Sequence, residues 1–398
     1  MSQFASDVYV YDAVRTPKGR VRRGGGTLAE VPAHELLATL LRALRKRGAS
    51  ADLAEDIVIG TSTAAGEQGG DVARAAALWA GWPDTIPGGV VSRLCCSGLD
   101  AIGTAAAKVA SGMNEVVIAG GVESMSRVPM LLDKPAFAFE GQLQDSTGYV
   151  TIGVAADLTA ADAGFTREEL DGYAVRSHHR SAAAPTSESI IPVVSGDSVI
   201  LARDEGARPE ADLAEFAALA TLFADDPAWE RVVRRLPDAR RPAGGLHTIG
   251  TAPQLADGAC AIVLGSKRAG SGLGTEPIAR IVGAAQAAVR SPRLTAAVQA
   301  ARDALGAAGI TAAQLDVVEA NESFAVSPLL MTRELNLDPD RVNPNGGAVA
   351  TGHPLGASGG MLLVNALDQL TRVDGEFALL AIPGGLGLGA AVVVQRIR

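Results

Sequence analysis

The sequence predicts a layered α/β protein made of two similar halves, with a segment of different character inserted between them. Short apolar strands alternate with amphipathic helices along most of the 398 residues, which is typical of layered α/β domains. One strand and helix pattern occurs in both halves, and a polar, charge-rich stretch separates them. The chain length favours two or three domains rather than one simple core.

The first half begins with alternating strands and helices. Residues 8–14 are rich in β-forming side chains and predict a first strand. Apolar residues recur with helical spacing over 33–47, where a basic cluster near the end complements the helix dipole. Residues 57–59 predict a short buried strand, and residues 72–80 predict a second helix.

An internal repeat is the most informative pattern. In the first half, a predicted helix from Cys95 to about residue 111 is followed by a strand at 115–119 and a glycine turn at 120–121. In the second half, a helix from His353 to about residue 370 is followed by a strand at 377–382 and a turn at 384–385. Two such halves would each present a reactive side chain at a helix start, facing one site. Since α/β units resemble one another in any case, the pattern alone leaves a true repeat open.

The middle of the chain has a different composition. Residues 124–253 contain polar loops, a predicted helix at 167–184 and charges of alternating sign over 203–241. This pattern indicates an inserted loop or lid domain rather than core sheet. We therefore expect an N-terminal half at 1–123, completed by about 254–274, and a C-terminal half at 275–398.

Charge and cysteine content argue against several kinds of partner. With 35 basic and 44 acidic residues the net charge is −9, so nucleic acid is an unexpected partner. Three cysteines without a framework pattern are typical of a reducing compartment, and the cytoplasm is the expected location. The uncharged stretch 377–394 approaches transmembrane length, but its central Pro383 and glycines favour two strands around a turn. We expect no membrane association.

Two residues stand out as candidates for chemistry. Cys95 lies where an apolar strand at 89–94 meets a helix. A helix N-terminus lowers a thiol pKa and favours the nucleophilic thiolate, although free cysteine is more often buried and inert. His353 lies in a loop rich in glycine and proline, a setting that favours a base or a hydrogen-bond donor over a core histidine.

Other residue patterns carry less information. Asn321 follows a predicted strand at 315–319, at the end of the strand where α/β sites commonly lie, although asparagine there is often a turn residue. The adjacent His178 and His179 point to opposite sides of their helix, so no metal site is predicted. The glycine pairs form neither a dinucleotide fingerprint nor a phosphate loop, and no bound cofactor is predicted.

Five segments taken in order resemble the thiolase family from residue 8 to nearly the C-terminus. The segments are Asp12-Ala13-Val14-Arg15-Thr16-Pro17, Ser92-Arg93-Leu94-Cys95-Cys96-Ser97-Gly98, Gly120-Gly121-Val122-Glu123-Ser124-Met125-Ser126, Asn321-Glu322-Ser323-Phe324-Ala325 and Gly352-His353-Pro354-Leu355-Gly356-Ala357-Ser358-Gly359. Five blocks in this order are far more specific than any one motif.

The resemblance implies two thiolase halves and a loop domain that covers coenzyme A, which would be a substrate or product. Cys95 would accept the acyl group, and His353 would activate it and polarise the second thioester carbonyl. Asn321 would hold a water in an oxyanion hole for the enolate. The positions that line the pantetheine channel in the family correspond to Ile152, Ala252, Leu255 and Phe324. A homodimer is also implied.

The sequence departs from the family pattern near the C-terminus. A thiolase carries a second cysteine, which moves the α-proton, in a Cys-x-Gly-Gly-Gly segment, and here the corresponding stretch is Ala381-Ile382-Pro383-Gly384-Gly385. In this register Ala381 replaces the cysteine. Pro383 then stands two residues later, where the family uses a backbone N–H as an oxyanion donor, and proline has none.

The loop domain departs from the family pattern as well. Pro253 stands in place of a serine that binds pantetheine, residues 224–245 look inserted, and residues 129–148 look shortened. Three functions stay open. The first is a 3-oxoacyl-CoA acyltransferase of lipid metabolism such as β-oxidation. The second is a simple acyl transferase or thioesterase, and the third is a protein that binds acyl-CoA without catalysis.

Overall fold

The structure is a computed structural model that describes residues 3–49 and 51–397. The strands are β1 Val8–Arg15, β2 Gly19–Arg20, β3 Asp56–Gly60, β4 Gly89–Val91, β5 Val116–Ser124, β6 Val193–Ser195, β7 Ser198–Leu201, β8 Ala256–Gly265, β9 Ala279–Ala288, β10 Val317–Ala320, β11 Phe377–Gly384 and β12 Leu388–Arg396. The helices are α1 Ala33–Lys46, α2 Val72–Trp79, α3 Ser97–Ala110, α4 Ala136–Phe139, α5 Gly141–Thr147, α6 Ile152–Ala163, α7 Arg167–Ala183, α8 Leu213–Ala217, α9 Ala228–Arg235, α10 Ala269–Leu273, α11 Ala296–Ala308, α12 Val326–Glu334, α13 Ala348–Thr351 and α14 Leu355–Arg372.

One long sheet runs through both halves in the order β10-β11-β12-β9-β1-β8-β5-β3-β4. In the first half β3 is parallel to β4 and β5, and β8 is antiparallel to β5 and β1. In the second half β10 is parallel to β11, and β12 is antiparallel to β11 and β9. The strands β3, β5, β8 and β1 correspond to β10, β11, β12 and β9, while β4 has no counterpart among the described strands. The antiparallel pair β1–β9 joins the two arrangements. The predicted α/β fold of two similar halves is confirmed.

Helices α3 and α14 pack against each other at an unusually short distance because glycines form their contact. A Cβ atom added to Gly98 would lie 2.8 Å from the carbonyl oxygen of Gly356, and one added to Gly359 would lie 2.5 Å from the backbone nitrogen of Leu99. Real Cβ atoms do not come so close, so larger residues would separate the helices. The close contact places the beginnings of the two equivalent helices side by side.

The uncharged stretch at 377–394 forms β11 and most of β12, as predicted. A short turn at Gly385–Gly387 joins them, and Leu386 in that turn has a positive φ of 58°. Within the described parts of the chain, no helix has the length and apolar character needed to cross a bilayer.

The segment between the two halves is mostly helical, with α4 to α9 and the small β6–β7 sheet. The stretch that looks inserted in the sequence contains α9. Trp229 and Val232 on this helix are buried in the same apolar cluster as Phe324. The Trp229 indole N–H donates a hydrogen bond to the Phe223 carbonyl at 2.8 Å. Helix α9 therefore helps to form the core of the inserted segment.

Candidate active site

Cys95 lies in a tight turn between β4 and α3. Leu94, immediately before it, has a φ of 51°, and α3 begins at Ser97 rather than at Cys95 as predicted. The Ser97 hydroxyl donates to the Leu94 carbonyl at 2.5 Å and accepts a hydrogen bond from the Arg93 N–H at 2.9 Å. These bonds hold the turn that presents the Cys95 side chain just ahead of the helix.

Burial of the Cys95 thiol works against the expected thiolate. Burial raises the pKa of Cys95 to about 12, and the negative charge of Glu123 raises it further. Hydrogen bonds from the backbone N–H groups of Gly385 and of Cys95 itself oppose the rise. Because the side chain is only 6% exposed, desolvation outweighs the favourable helix start. The thiol proton must therefore leave when substrate arrives.

His353 is also buried and neutral. Burial lowers the pKa of His353 to about 3, and the nearby positive charge of Lys18 lowers it further. Its Nδ1 lies 2.6 Å from the Ser358 hydroxyl oxygen, and its Nε2 has no partner among the described residues. When Nδ1–H donates to Ser358, Nε2 carries a free lone pair. In that tautomer His353 can accept a proton.

Asn321 lies at the carboxyl end of β10, next to the end of β11. Its backbone N–H donates to the Ala381 carbonyl at 2.8 Å. Its side-chain amide donates to the Ser323 hydroxyl at 2.8 Å, and that hydroxyl donates to the Pro383 carbonyl at 3.3 Å. Ser323, to which the sequence assigned no role, thus connects Asn321 to the altered C-terminal segment.

Ala381 is buried near the carboxyl end of β11, beside Asn321. Its backbone carbonyl accepts the Asn321 N–H, and its side chain lies in the apolar cluster that contains Ala301 of α11, whereas Ile382 lies in the cluster that contains Cys95. Side chains of a strand point alternately to opposite faces, so Ala381 and Pro383 share one face of β11. That Ala381 holds the position of the second cysteine stays a prediction.

The glycine turn after β11 supplies a backbone donor close to Cys95. Burial raises the pKa of the Cys95 thiol, and the Gly385 N–H opposes that rise. Gly384 lies between Pro383 and Gly385, and a Cβ there would lie 3.1 Å from the Cys96 sulfur. Pro383 itself has no backbone N–H, and the loss of its donor stays a prediction.

Two buried glutamates support the site, and neither role was predicted from the sequence. Glu123 accepts hydrogen bonds from the backbone N–H groups of Ser62 and Gly356, both at 2.8 Å. Gly356 belongs to the first turn of α14, so Glu123 ties the His353 segment to the first half. Glu123 lies in a segment that resembles the family, but Ser62 and Gly356 are 61 and 233 residues away from it in sequence. This role could therefore not be predicted from the sequence.

Glu322 supports the other side of the His353 segment. Its carboxylate accepts hydrogen bonds from the Tyr173 hydroxyl at 2.7 Å and from the Val349 N–H at 2.9 Å. Val349 lies in α13, directly before the loop that carries His353. The residue next to Asn321 therefore fixes the position of the histidine loop.

Three of the four predicted channel residues lie together. Phe324 is buried, and Ile152 and Ala252 pack against its cluster. The Phe324 ring meets the Phe223 ring edge-on, with 5.8 Å between centroids. Leu255 is 49% exposed and lies outside that cluster, although its backbone forms a bridge with His353.

Comparison with known proteins agrees with this geometry. Residues 8–228 match the family described as Thiolase, N-terminal domain, and residues 275–396 match Thiolase, C-terminal domain. The chain is 38% identical to the beta-ketoadipyl-CoA thiolase of Pseudomonas knackmussii, over 98% of this chain and 99% of that protein. It is 37% identical to the 3-oxoadipyl-CoA/3-oxo-5,6-dehydrosuberyl-CoA thiolase of Escherichia coli, over 98% and 100% of the two chains.

A solved structure supports the same assignment. The acetyl-CoA acetyltransferase of Bacillus anthracis superposes over the whole of both chains with a TM-score of 0.85 and 30% identity. The fold and the site together define an acyltransferase that acts on coenzyme A thioesters. The chain belongs to the thiolase family.

Proposed function

We propose that this acyltransferase moves acyl groups between coenzyme A thioesters through a thioester on Cys95, and that it breaks or forms carbon–carbon bonds slowly. The observation that carries the proposal is the Gly385 N–H at the Cys95 thiol. Together with the Cys95 N–H it provides two donors where the oxygen of a bound acyl group would develop negative charge. The acyl-enzyme step thus has its oxyanion hole.

Formation of the acyl-enzyme needs only the groups that are present. His353 Nε2 takes the Cys95 proton while the sulfur attacks the thioester carbonyl carbon. A new sulfur–carbon bond forms, the bond to the coenzyme A sulfur breaks, and His353 returns the proton to that sulfur. Because burial favours the neutral forms of Cys95 and His353, the site does not have to stabilise a thiolate–imidazolium ion pair before the substrate binds.

The carbon–carbon step needs one more group. Cleavage of a 3-oxoacyl-CoA releases an enolate that must gain a proton at carbon, and condensation must remove that proton. The resemblance places this acid/base at Ala381, whose side chain cannot titrate. The relatives named above are beta-ketoadipyl-CoA and 3-oxoadipyl-CoA thiolases. We propose 3-oxoacyl-CoA thioesters as the substrate class of this chain, cleaved at a low rate.

Two assays on one preparation test the proposal. Exchange of labelled coenzyme A into acetyl-CoA reports acyl transfer without any α-proton step, whereas thiolysis of acetoacetyl-CoA reports carbon–carbon cleavage. We expect measurable exchange, much slower thiolysis, and acetyl label on Cys95 in peptide mass maps. Cys95→Ala should abolish both reactions, and Cys260→Ala, another buried cysteine, should retain them. Absence of acyl-Cys95 would support a binding protein without catalysis.

We further propose a homodimer that assembles through the edge strand β4. This strand pairs only with β3 among the described strands, and all three of its residues are half-buried. Pairing of two such edges would continue the sheet and cover it. The shortened stretch at 129–148 argues against a tetramer. Sedimentation should give the mass of two chains, and a stable monomer or tetramer at micromolar concentration would contradict this.

We propose a cytoplasmic location, supported by the cysteines. Cys95, Cys96 and Cys260 are all free, as expected in a reducing compartment. Fractionation of cells that express the tagged protein should recover it in the cytosolic fraction, and recovery with membranes would contradict the proposal.

A further inference from the structure

A cavity of about 400 Å³ is lined by Lys18 and Thr351, and its lining includes none of the catalytic residues Cys95, His353 and Asn321. It is bounded by the end of α7, by the loops near 184–187 and 202–209, and by α14. Its charged lining residues are Arg15, Lys18, Arg203 and Arg372, with Asp204 and Asp368. Four basic side chains against two acidic ones stand out in a chain whose net charge is −9.

The two acidic residues of the cavity are already occupied. Asp204 accepts hydrogen bonds from the Arg15 guanidinium and from the Lys18 backbone N–H, each at 2.8 Å. Asp368 accepts a hydrogen bond from the Ser189 hydroxyl at 2.8 Å, and a second from Ser187. Asp204 thus forms an ion pair with Arg15, whereas the partners of Asp368 are neutral hydroxyls.

Three basic groups, in contrast, have unused donors. The Lys18 ammonium is buried and donates only to the neutral Thr351 hydroxyl, at 3.1 Å, with no ion pair among the described residues. Arg203 forms no hydrogen bond or ion pair within residues 3–49 and 51–397, and Arg372 donates only to the Thr186 carbonyl, at 3.2 Å. The Ser181 hydroxyl at the cavity wall is buried without a partner.

We propose that this cavity is a binding site for a small organic dianion, either a phosphate monoester or a dicarboxylate. Its volume is at the lower end of small-molecule sites, which suits a compact ligand. An ammonium and two guanidinium groups with open donors match the oxygens of such an anion, and charge-assisted hydrogen bonds are the strong ones. Nothing in the proposed acyl transfer uses this site, so the two proposals stand or fall separately.

The site also touches the catalytic segment. Lys18 bonds to Thr351, the last residue of α13 and two residues before His353. An anion that binds Lys18 would therefore contact the segment that holds the base. A ligand in this cavity would therefore lie next to the active-site segment without entering the acyl channel.

Calorimetry on the full chain tests the proposal, with coenzyme A present at saturation so that probes do not bind its site. The probes are glycerol 3-phosphate, succinate and inorganic phosphate, in constant chloride. We expect glycerol 3-phosphate or succinate to bind, which names the ligand class. Arg203→Gln and Arg372→Gln should each weaken that binding about three- to tenfold, and Arg23→Gln, an exposed arginine outside the cavity, should change it less than about twofold.

Lys18→Met should abolish binding. Because Lys18 is buried, this change can also disturb folding, so Arg203→Gln tests the same cavity at an exposed residue. No binding of either organic dianion up to about 10 mM would overturn the proposal. So would binding that is unaffected by all three cavity variants. If inorganic phosphate binds as tightly as the organic dianions and its affinity is unchanged in the three variants, the binding is an unspecific anion effect. That result would also overturn the proposal.

Discussion

Replacing Ala381 with cysteine should restore the missing acid/base at the position where the resemblance places it. The Gly385 N–H already acts on the Cys95 thiol, so the proton-transfer group is the one that has to be added. A general acid or base contributes about 10²–10⁴ in rate, which corresponds to about 2.7–5.5 kcal/mol of activation free energy. We expect Ala381→Cys to raise kcat for thiolysis of acetoacetyl-CoA by about 10²-fold or more.

The assay compares two reactions of the same variant. Thiolysis needs the new thiol, whereas exchange of labelled coenzyme A into acetyl-CoA uses only Cys95 and His353. Exchange should therefore stay within about threefold of the starting protein while thiolysis rises. A parallel rise of both reactions would mean that the substitution improves acylation rather than α-proton transfer.

Two further variants separate the causes. Pro383→Ala adds a backbone N–H without a thiol, and it should leave thiolysis slow. Pro383→Cys places a thiol two residues later on β11 and should give a smaller gain than Ala381→Cys. A larger gain in Pro383→Cys than in Ala381→Cys would refute the register. A starting turnover already near the usual range of about 1–10³ s⁻¹ for enzymes would show that another group has replaced the cysteine.

Three further variants test the surroundings of the site. Ser323→Ala removes the acceptor of the Asn321 amide, so kcat for thiolysis should fall about two- to tenfold with little change in KM; an unchanged kcat would contradict this. Glu322→Gln weakens the hydrogen bond that the Val349 N–H donates to this side chain, and it should lower the free energy of unfolding by about 1–3 kcal/mol in urea titrations. Burial raises the pKa of Glu319 to about 8 from 4.5, so the folded state keeps a proton that the unfolded state loses between these values. Stability should fall as pH rises through that window, and Glu319→Gln should flatten the curve.

The sequence located the main chemical groups because they follow local rules. Cys95 and His353 each stand close before a helix in equivalent units, and Asn321 ends a strand, so motif and secondary structure were sufficient. The backbone donor of the last segment was not predictable in this way. The resemblance assigns the donor position to Pro383, and only the folded turn shows that the Gly385 N–H acts on Cys95.

Protonation states depend on tertiary structure in the same way. A helix start favours a thiolate locally, but the Gly385–Gly387 turn and α14 come from residues about 260–290 positions later and exclude water from Cys95. The resulting desolvation is the largest influence on both Cys95 and His353. Lys18 is similar, since nothing near it in sequence indicates that its ammonium is buried against Thr351.

The altered turn separates two parts of the chemistry that a thiolase normally combines. The donor that acts on Cys95 is a backbone group at Gly385, and a change of side chain at Ala381 does not remove it. A proline at position 383 keeps its carbonyl, which still accepts the Ser323 hydroxyl, so the end of β11 retains its link to Asn321. The group that the carbon–carbon step lacks is the titratable one. Acyl transfer through Cys95 is therefore the reaction for which the site retains every required group, and the carbon–carbon step is the one that a single thiol should recover.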